Sequence, residues 1–117
     1  MPNKRLCFAC DLKDNPSLME EYRKYHAPGN VWPEVVTSIR EAGILNLDIF
    51  QIGNRLFMIM EVVEDFDLAQ KARMDQENPK VQEWEALMWK YQQAVPWAKE
   101  GEKWTPMEQI FNLKDHE

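Results

Sequence analysis

Apolar and polar residues alternate along some stretches of this chain and recur at three- to four-residue spacing along others. Alternation over residues 4–12 predicts a first β-strand. Two further β-rich runs flank Gly53-Asn54, a dipeptide typical of tight turns, so residues 44–63 are predicted to form a β-hairpin. A last short strand is predicted over residues 107–113, "MEQIFNL". The apolar residues on one side of the first strand are Leu6, Phe8 and Cys10.

Helical spacing fills the segments between these strands, with two helices before the hairpin and two after it. The first begins at about Pro16, where proline suits the opening turn, and the second follows Pro33 and runs to Ala42. The third and fourth cover about residues 66–74 and 79–93. The element order is therefore β-α-β-β-α-β, with each helical region split in two.

This order predicts an α+β protein with the ferredoxin-like fold, a four-stranded antiparallel sheet covered by helices on one face. The second face of the sheet is too apolar to face water. Both alternating sets of positions in residues 56–62 contain apolar side chains, so covering one set with helices leaves apolar side chains of the other set uncovered; one of the two sets includes Phe57 and Ile59. A large apolar sheet face usually marks an interface. We therefore predict a homodimer in which two sheets pack face to face, built from a single domain over residues 1–117.

Composition narrows the possible partners and the location. The 117 residues are 44% hydrophobic and 29% charged, which is ordinary for a soluble globular protein. A net charge of −6 with interleaved signs argues against nucleic acid or an anionic membrane as partner. No apolar run approaches the roughly 18 residues that span a bilayer, and the N-terminal stretch lacks the apolar core of a signal peptide. We predict a cytoplasmic protein with no membrane partner.

The two cysteines, Cys7 and Cys10, form a C-x-x-C motif inside the first predicted strand. Three residues along a strand span about 10 Å and put the two side chains on opposite faces, which excludes a disulfide. The sequence has no second Cys/His pair at zinc spacing. We therefore expect structural cysteines and no metal site.

Candidate chemistry is concentrated in residues 20–36, "EEYRKYHAPGNVWPEVV". Tyr22 and His26 lie four residues apart on one predicted helix and so project from the same face. An imidazole is the usual general acid or base near neutral pH, and Trp32 in the following loop offers a wall for a pocket. The alternative is that His26 only complements the helix dipole and the Trp-Pro pair only packs. These residues alone leave both interpretations open.

Several separated motifs in the same order extend this picture over nearly the whole chain. The stretches "EEYRKYH", "VWPE", "RLFMIME", "WKY" and "EQIF" resemble the L-rhamnose/L-fucose mutarotase family, from the first strand to about Leu113. The resemblance implies a dimeric α/β barrel of ferredoxin-like subunits. It also implies an isomerase that interconverts the α and β anomers of a 6-deoxy-L-sugar, L-rhamnose or L-fucose, without a cofactor.

The resemblance also implies roles for individual residues. In the family's rhamnose enzymes, the histidine that matches His26 is the proton donor, and the tyrosine that matches Tyr22 contacts the sugar. The family's paired sugar-binding aromatics align with Met88 and Trp89, and a further sugar-contacting tyrosine aligns with Leu47. Two of these three aromatics are thus replaced, and the loop after the histidine is about two residues longer. These departures leave the choice of deoxy-sugar open.

The expected mechanism opens the cyclic hemiacetal and closes it on the other face. His26 protonates the ring oxygen, Tyr22 orients a sugar hydroxyl, and Trp32 and Trp89 form apolar walls. The partner base is left open between a carboxylate such as Asp48 and a bound water. A competing hypothesis is a non-catalytic dimeric α/β barrel that binds a small hydrophobic or haem-like ligand. A third is an assembly protein in which the space near His26 is filled.

Overall fold

Strands and pairs of helices alternate along the chain in the computed structural model, which describes residues 4–116. The elements are β1 (Lys4–Leu12), α1 (Pro16–Tyr25), α2 (Pro33–Glu41), β2 (Ile44–Ile52), β3 (Arg55–Val62), α3 (Leu68–Gln76), α4 (Pro79–Met88), β4 (Gln92–Gln93) and β5 (Thr105–Pro106), followed by a 3₁₀ turn (Leu113–Asp115). The strands occur in the order β2-β3-β1-β4 across one antiparallel sheet, and the short β5 pairs with another part of β1. The predicted ferredoxin-like α+β architecture is confirmed.

Side-chain caps fix where three of the helices begin. The Asn15 side-chain oxygen accepts hydrogen bonds from the backbone N–H groups of Ser17 and Leu18, at 3.0 and 3.1 Å. Asn78 caps α4 in the same way, and Asp67 caps α3. Asparagine and aspartate at these positions satisfy N–H groups that lack partners within the helix. The fixed start of α1 therefore determines where its last turn lies.

The hairpin sets which residues of the sheet face the helices. Alternate β3 residues from Leu56 to Val62 are buried beneath the helices, whereas Phe57 and Ile59 on the other face are only half-buried. The partner strand β2 contains a register shift between Ile44 and Asn46. An extra residue of this kind is a β-bulge, which bends the strand. The predicted hairpin is confirmed, with its turn at Gly53, where φ is +54°.

A second glycine with positive φ joins α2 to β2. Gly43 has φ +93°, and a Cβ at this position would lie 2.9 Å from Cγ2 of Val63. The backbone N–H of Val63 in turn donates to the Gly43 carbonyl, at 3.0 Å. Glycine is required here on two grounds, because side chains disfavour this φ and the neighbouring residue occupies the space.

The core between the sheet and the helices consists of two clusters. One contains most of the buried residues of the helices, and the other is centred on the sheet. The helix-side cluster comprises Leu12, Tyr22, Val35, Leu56, Trp84, Met88 and Tyr91. The sheet-side cluster comprises Phe8, Ile44, Met58, Met60 and Val62.

The predicted strand over residues 107–113 is wrong. The chain forms a two-residue strand earlier, β5, and the N–H of Met107 then donates to the carbonyl of Cys7, at 2.8 Å. Residues 107–112 have no regular secondary structure, and Ile110 is 93% exposed. The apolar residues of this segment lie on the surface instead of pairing with a neighbouring strand.

The fourth strand lies where the end of α4 was expected. The helix stops at Met88 because the following backbone bonds to the end of β1. The N–H of Lys13 donates to the carbonyl of Tyr91, at 2.8 Å, and Gln92 pairs with Leu12. Helical spacing predicted five more residues of helix, whereas hydrogen bonds to a distant strand make the end of this segment extended.

The prediction that Cys7 and Cys10 lie in the first strand, with their side chains on opposite faces of the sheet, is confirmed. Cys7 pairs across the sheet with Ile59, and Cys10 with Leu56, so their side chains lie on opposite faces. Both cysteines are free, and Cys10 is fully buried. Within residues 4–116, no helix combines the length and the apolar character needed to cross a bilayer.

Candidate active site

A cavity of about 490 Å³ lies between the helices and the face of the sheet that they cover. Its wall is largely apolar, with contributions from α1, α2, α4 and the hairpin. Polar side chains from all four helices and from β2 and β4 interrupt this apolar surface. Four of them are Tyr22, His26, Glu85 and Gln92.

His26 follows the last residue of α1 and contacts the backbone of the preceding turn. Its Nδ1 lies 2.8 Å from the carbonyl oxygen of Tyr22. Because a carbonyl only accepts, Nδ1 carries the hydrogen and Nε2 of the neutral ring has a free lone pair. The ring is therefore oriented by its own helix, and Nε2 is the nitrogen available for proton transfer.

Burial decides the charge of this imidazole. Removal from water lowers the pKa of His26 below its ordinary value of 6.5, and the hydrogen bond to the Tyr22 carbonyl opposes that effect only in part. The neutral form therefore predominates at neutral pH. The resting histidine is equipped to accept a proton at Nε2 rather than to donate one.

Tyr22 lies directly against this ring. Its side chain is 3% exposed, and the centroids of the two rings are 4.1 Å apart. Burial raises the pKa of Tyr22, with a smaller opposing effect from the Gln92 amide, whose Nε2 donates to the phenol oxygen at 3.1 Å. The phenol is therefore protonated when no ligand is bound, and its own hydrogen is available to an acceptor other than Gln92.

The tryptophans divide into cavity and non-cavity residues. Trp84 lines the cavity, with its ring 5.5 Å from that of His26 in an edge-on arrangement. Trp32 packs on Trp84 at 5.2 Å and belongs to the core, and Trp89 is 39% exposed with the Lys103 ammonium 4.8 Å from its ring centroid. Neither Trp32 nor Trp89 is among the described residues that line the cavity. The tryptophans that line the cavity are instead Trp84 and Trp104.

The two aligned positions that lack the family's aromatic residue both reach the cavity. Leu47 lines it from β2, and Met88 lines it from α4. The cavity thus brings Tyr22, His26, Leu47 and Met88 together. At each replaced position an aliphatic side chain forms the wall where an aromatic ring was expected.

Asp48 is not in this cavity, and its suggestion as partner base is wrong. It is exposed on the opposite face of the sheet, in a depression that also includes Arg5 and Glu61. The reason is strand alternation, since Leu47 faces the helices and its neighbour must face away. Glu85 is a carboxylate on the cavity wall, and one of its oxygens lies 2.7 Å from Nζ of Lys103. Within the described part of the chain, no three His, Cys, Asp or Glu side chains meet as metal ligands.

Sequence reasoning missed several residues of the site, Trp84 and Gln92 among them. Trp84 lies four residues before Met88 on α4, so helical spacing could have indicated its place on the cavity wall. Gln92 had no such signal, because it was expected on a helix and is separated by 70 residues from Tyr22, whose hydroxyl it contacts. Only the pairing of β4 with β1 brings it to the site.

The hypothesis of an assembly protein with filled space near His26 is wrong, because His26 lines an open cavity. The polar groups beside it also distinguish the cavity from a dry apolar cleft. An apolar wall that carries a few fixed hydrogen-bond donors and acceptors is the arrangement expected for a site that binds a small polar ligand.

Comparisons with known proteins agree with this geometry. A sequence model described as L-rhamnose mutarotase matches residues 5–113. An L-fucose mutarotase of Xanthomonas campestris pv. campestris is 48% identical over 115 residues, covering 98% of this chain and 92% of that protein. An L-rhamnose mutarotase of Burkholderia ambifaria is 41% identical over 64 residues, covering 53% of this chain and 54% of that protein.

A solved structure supports the fold. The crystal structure of an L-rhamnose mutarotase from Formosa agariphila superimposes with a TM-score of 0.67, covering 93% of this chain and 97% of that one, at 23% sequence identity. The predicted family is confirmed by the sequence model over residues 5–113 and by the 48% identical relative, and the shared architecture supports the fold. The chain belongs to the L-rhamnose mutarotase family, whose named members act on the anomers of L-rhamnose and L-fucose.

Proposed function

We propose that this protein interconverts the α and β anomers of a 6-deoxy-L-hexose, with L-fucose preferred over L-rhamnose. The observation that carries the proposal is the neutral His26 ring, whose Nε2 is free at a cavity shared with the Tyr22 hydroxyl. The preference for L-fucose rests on the relative named for that sugar, which is similar along almost the whole chain. The replaced aromatics at Leu47 and Met88 fit a cavity that differs from the rhamnose type.

Ring opening is the first half of the proposed reaction. Nε2 of His26 takes the proton from the anomeric hydroxyl O1, and the O1 electron pair forms the carbonyl bond to C1. The C1–O5 bond breaks with its electron pair on O5, and O5 takes a proton from the Tyr22 hydroxyl. The open-chain aldehyde then rotates about its C1–C2 bond.

Ring closure reverses each transfer on the other face of the aldehyde. O5 attacks C1 and returns its proton to the Tyr22 oxygen, while the imidazolium of His26 gives its proton to O1. His26 is thus a base on opening and a proton donor on closing. The Gln92 amide, which donates to the Tyr22 oxygen, stabilises the phenolate formed between the two steps.

Two groups of this kind are sufficient for the reaction. A positioned acid or base contributes about 10²- to 10⁴-fold, and the uncatalysed anomer exchange of a sugar already occurs in minutes. In the proposed mechanism the cavity contributes by orienting the sugar between Nε2 of His26 and the phenol. Trp84 provides the flat apolar surface against which one face of the sugar stacks.

Anomer exchange measured by saturation-transfer NMR tests the proposal. The wild-type protein is mixed with L-fucose, L-rhamnose and D-glucose in turn, and the exchange rate of each anomeric proton is compared with that of the sugar alone. We expect acceleration of L-fucose above L-rhamnose and none of D-glucose. Absence of acceleration with all three sugars would refute the mutarotase assignment for this chain.

A histidine comparison tests the role of the residue. His26→Ala is expected to lower kcat/KM by about 10²- to 10⁴-fold, since it removes the proton-transfer group. The matched control is His116→Ala, because the second histidine lies exposed in the C-terminal segment and stacks on Phe111 at 4.9 Å. Equal rates for the two variants would remove His26 from the mechanism.

We further propose that two subunits pair through the sheet face that the helices leave open. Phe50 is 56% exposed on this face, and its ring lies 6.4 Å from that of Phe57, with Ile59 beside them. These side chains form a continuous apolar patch at the centre of the open face. The predicted cytoplasmic location is also kept as a proposal, because two free cysteines fit a reducing compartment. Light scattering and cell fractionation check these two points.

A further inference from the structure

Gln92 is a buried polar residue in which only one of the two polar groups of the side chain forms a hydrogen bond with the described residues. It is 3% exposed and lines the cavity, and its Nε2 is bound to the Tyr22 hydroxyl oxygen. Its Oε1 is buried and has no hydrogen-bond partner among the described residues. A buried carbonyl oxygen without a partner is rare in folded proteins and destabilises them unless something else binds it.

The backbone holds this amide in place without fixing its plane. Gln92 pairs with Leu12 in β4, so its Cα cannot move without breaking the sheet edge. The last torsion of a glutamine side chain has a broad energy minimum, in contrast to the staggered torsions before it. The amide can therefore turn slightly about the bond to Tyr22 and bring Oε1 towards a bound ligand.

We propose that Oε1 of Gln92 accepts a hydrogen bond from a sugar hydroxyl and so selects substrates that carry a donor at that carbon. This inference rests on the proposed mutarotase function. The Tyr22 oxygen and the Gln92 amide together present one donor, the phenol hydrogen, and one acceptor, Oε1. In the proposed reaction the phenol hydrogen goes to the ring oxygen O5 and O1 faces His26, so the hydroxyls at C2, C3 and C4 are the donors left for Oε1.

The selectivity follows from the burial of the oxygen. A sugar with a hydroxyl opposite Oε1 satisfies a group that otherwise lacks a partner, whereas an analogue with hydrogen or fluorine there leaves it unpaired. Sites built around a buried acceptor discriminate against ligands that lack the donor far more strongly than apolar walls do. Gln92 is thus a specificity-determining residue in addition to its contact with Tyr22.

The experiment compares substrates and variants by NMR anomer exchange. L-fucose is compared with its 2-, 3- and 4-deoxyfluoro analogues, in which fluorine keeps the size of the hydroxyl but cannot donate. Each rate is corrected for the uncatalysed exchange of the same analogue. With the wild-type protein we expect one analogue to lose about tenfold to a hundredfold in kcat/KM beyond the other two.

Gln92→Met removes both amide groups and keeps the length of the side chain. This variant is expected to lose the discrimination against that one analogue, because the cavity wall no longer contains the acceptor oxygen of Gln92. Gln93→Met is the matched control, since Gln93 is the exposed neighbour in the same strand and its substitution should leave the discrimination unchanged. Full discrimination in the folded Gln92→Met variant would overturn the proposal.

A second background separates a direct sugar contact from an effect through Tyr22. In Tyr22→Phe the hydrogen bond from Nε2 of Gln92 to the phenol oxygen no longer exists. If Gln92 acts only through Tyr22, adding Gln92→Met to this variant should therefore cause no further loss in kcat/KM. We expect a further loss of about tenfold, confined to sugars with the critical hydroxyl. If Gln92→Met does not fold, the wild-type series decides alone, and equal rates for all three analogues overturn the proposal. Failure of the mutarotase function itself is distinct, because unmodified L-fucose would then show no acceleration.

Discussion

The two faces of the sheet are formed by alternate residues of the same strands, yet their surroundings differ completely. On the helix-covered face, Leu56, Met58 and Met60 of β3 are between 1% and 8% exposed. On the open face, Phe57 and Ile59 of the same strand are only half-buried. Apolar side chains thus occur on both faces, but among residues 4–116 only one face has a covering layer.

This difference separates the chemistry from the proposed assembly. The cavity with His26 lies on the covered face, and the apolar patch around Phe57 lies on the open one. Neighbouring residues such as Leu47 and Asp48 therefore serve unrelated surfaces. The comparison shows that the parity of a strand position decides its environment, whereas its residue type alone does not.

The largest expected effect is on stability, from truncation on the covered face. Leu56→Ala should lower the free energy of unfolding by about 2–5 kcal/mol, because it leaves a cavity at a residue that is 1% exposed. The matched change is Phe57→Ala, one residue along on the open face, which should lower the stability of the separated subunit by less than half as much. Urea unfolding at several protein concentrations measures both. Equal losses at every concentration would contradict the contrast between the faces.

A charge on the open face should break the proposed dimer. Ile59→Glu places a carboxylate on the open face directly opposite Asp48, where pairing of the subunits would bury two like charges side by side. We expect the dissociation constant to rise by at least roughly a hundredfold, measured by sedimentation velocity. Gln70→Glu is the control, because it adds a charged side chain at an exposed position of α3. An unchanged dimer in Ile59→Glu would show that the subunits pair elsewhere or not at all.

The junction between the helical layer and the sheet gives a smaller effect. Gly43→Ala combines an unfavourable φ with a Cβ only 2.9 Å from Val63, and should cost about 1–3 kcal/mol. Gly101→Ala isolates the conformational part, since Gly101 has φ +78° but no atom within 4 Å of an added Cβ. Thermal unfolding of the two variants measures the difference. The interpretation fails if Gly43→Ala is no less stable than Gly101→Ala.

The smallest expected effect is the dependence of activity and stability on pH that His26, on the covered face, produces. Because neutral His26 is the active base and burial lowers its pKa, kcat/KM should be level near neutrality and fall as the pH drops through a value below 6.5. Stability has the same sign, since the unfolded chain binds the proton first and the contribution is lost as the pH falls below 6.5. Corrected NMR exchange rates and urea unfolding measure the two quantities. Activity that rises as the pH falls towards 5 would instead indicate that the imidazolium starts the reaction.

Much of the fold could be predicted from local signals. The alternation in β1, the Gly53 turn of the hairpin and the proline near the start of α1 depend on residues close together in sequence, and these elements are observed. The pairing of Tyr22 with His26 is equally local, because four residues bring two side chains to one face of a helix.

The elements that were mispredicted depend on contacts between distant parts of the chain. Gln92 and Gln93 have no strand pattern, and only bonding to the end of β1 makes them extended. Residues 107–112 have the apolar content of a strand, but the chain stops pairing with β1 after the Met107 N–H bond to the Cys7 carbonyl. The same limit applies to the site, where Gln92 reaches Tyr22 through the sheet and Asp48 is turned away by strand alternation.

The register shift in β2 also determines where this chain can change in length. Ile44 and Leu47 both face the helices although they are three residues apart, because Leu45 is the extra residue between two paired positions. Loss of Leu45 would restore regular alternation and keep both neighbours on their present faces. Loss of a residue between Leu47 and Ile52 would instead move part of the strand to the opposite face. A relative that is shorter by one residue at position 45 could therefore retain the same cavity wall.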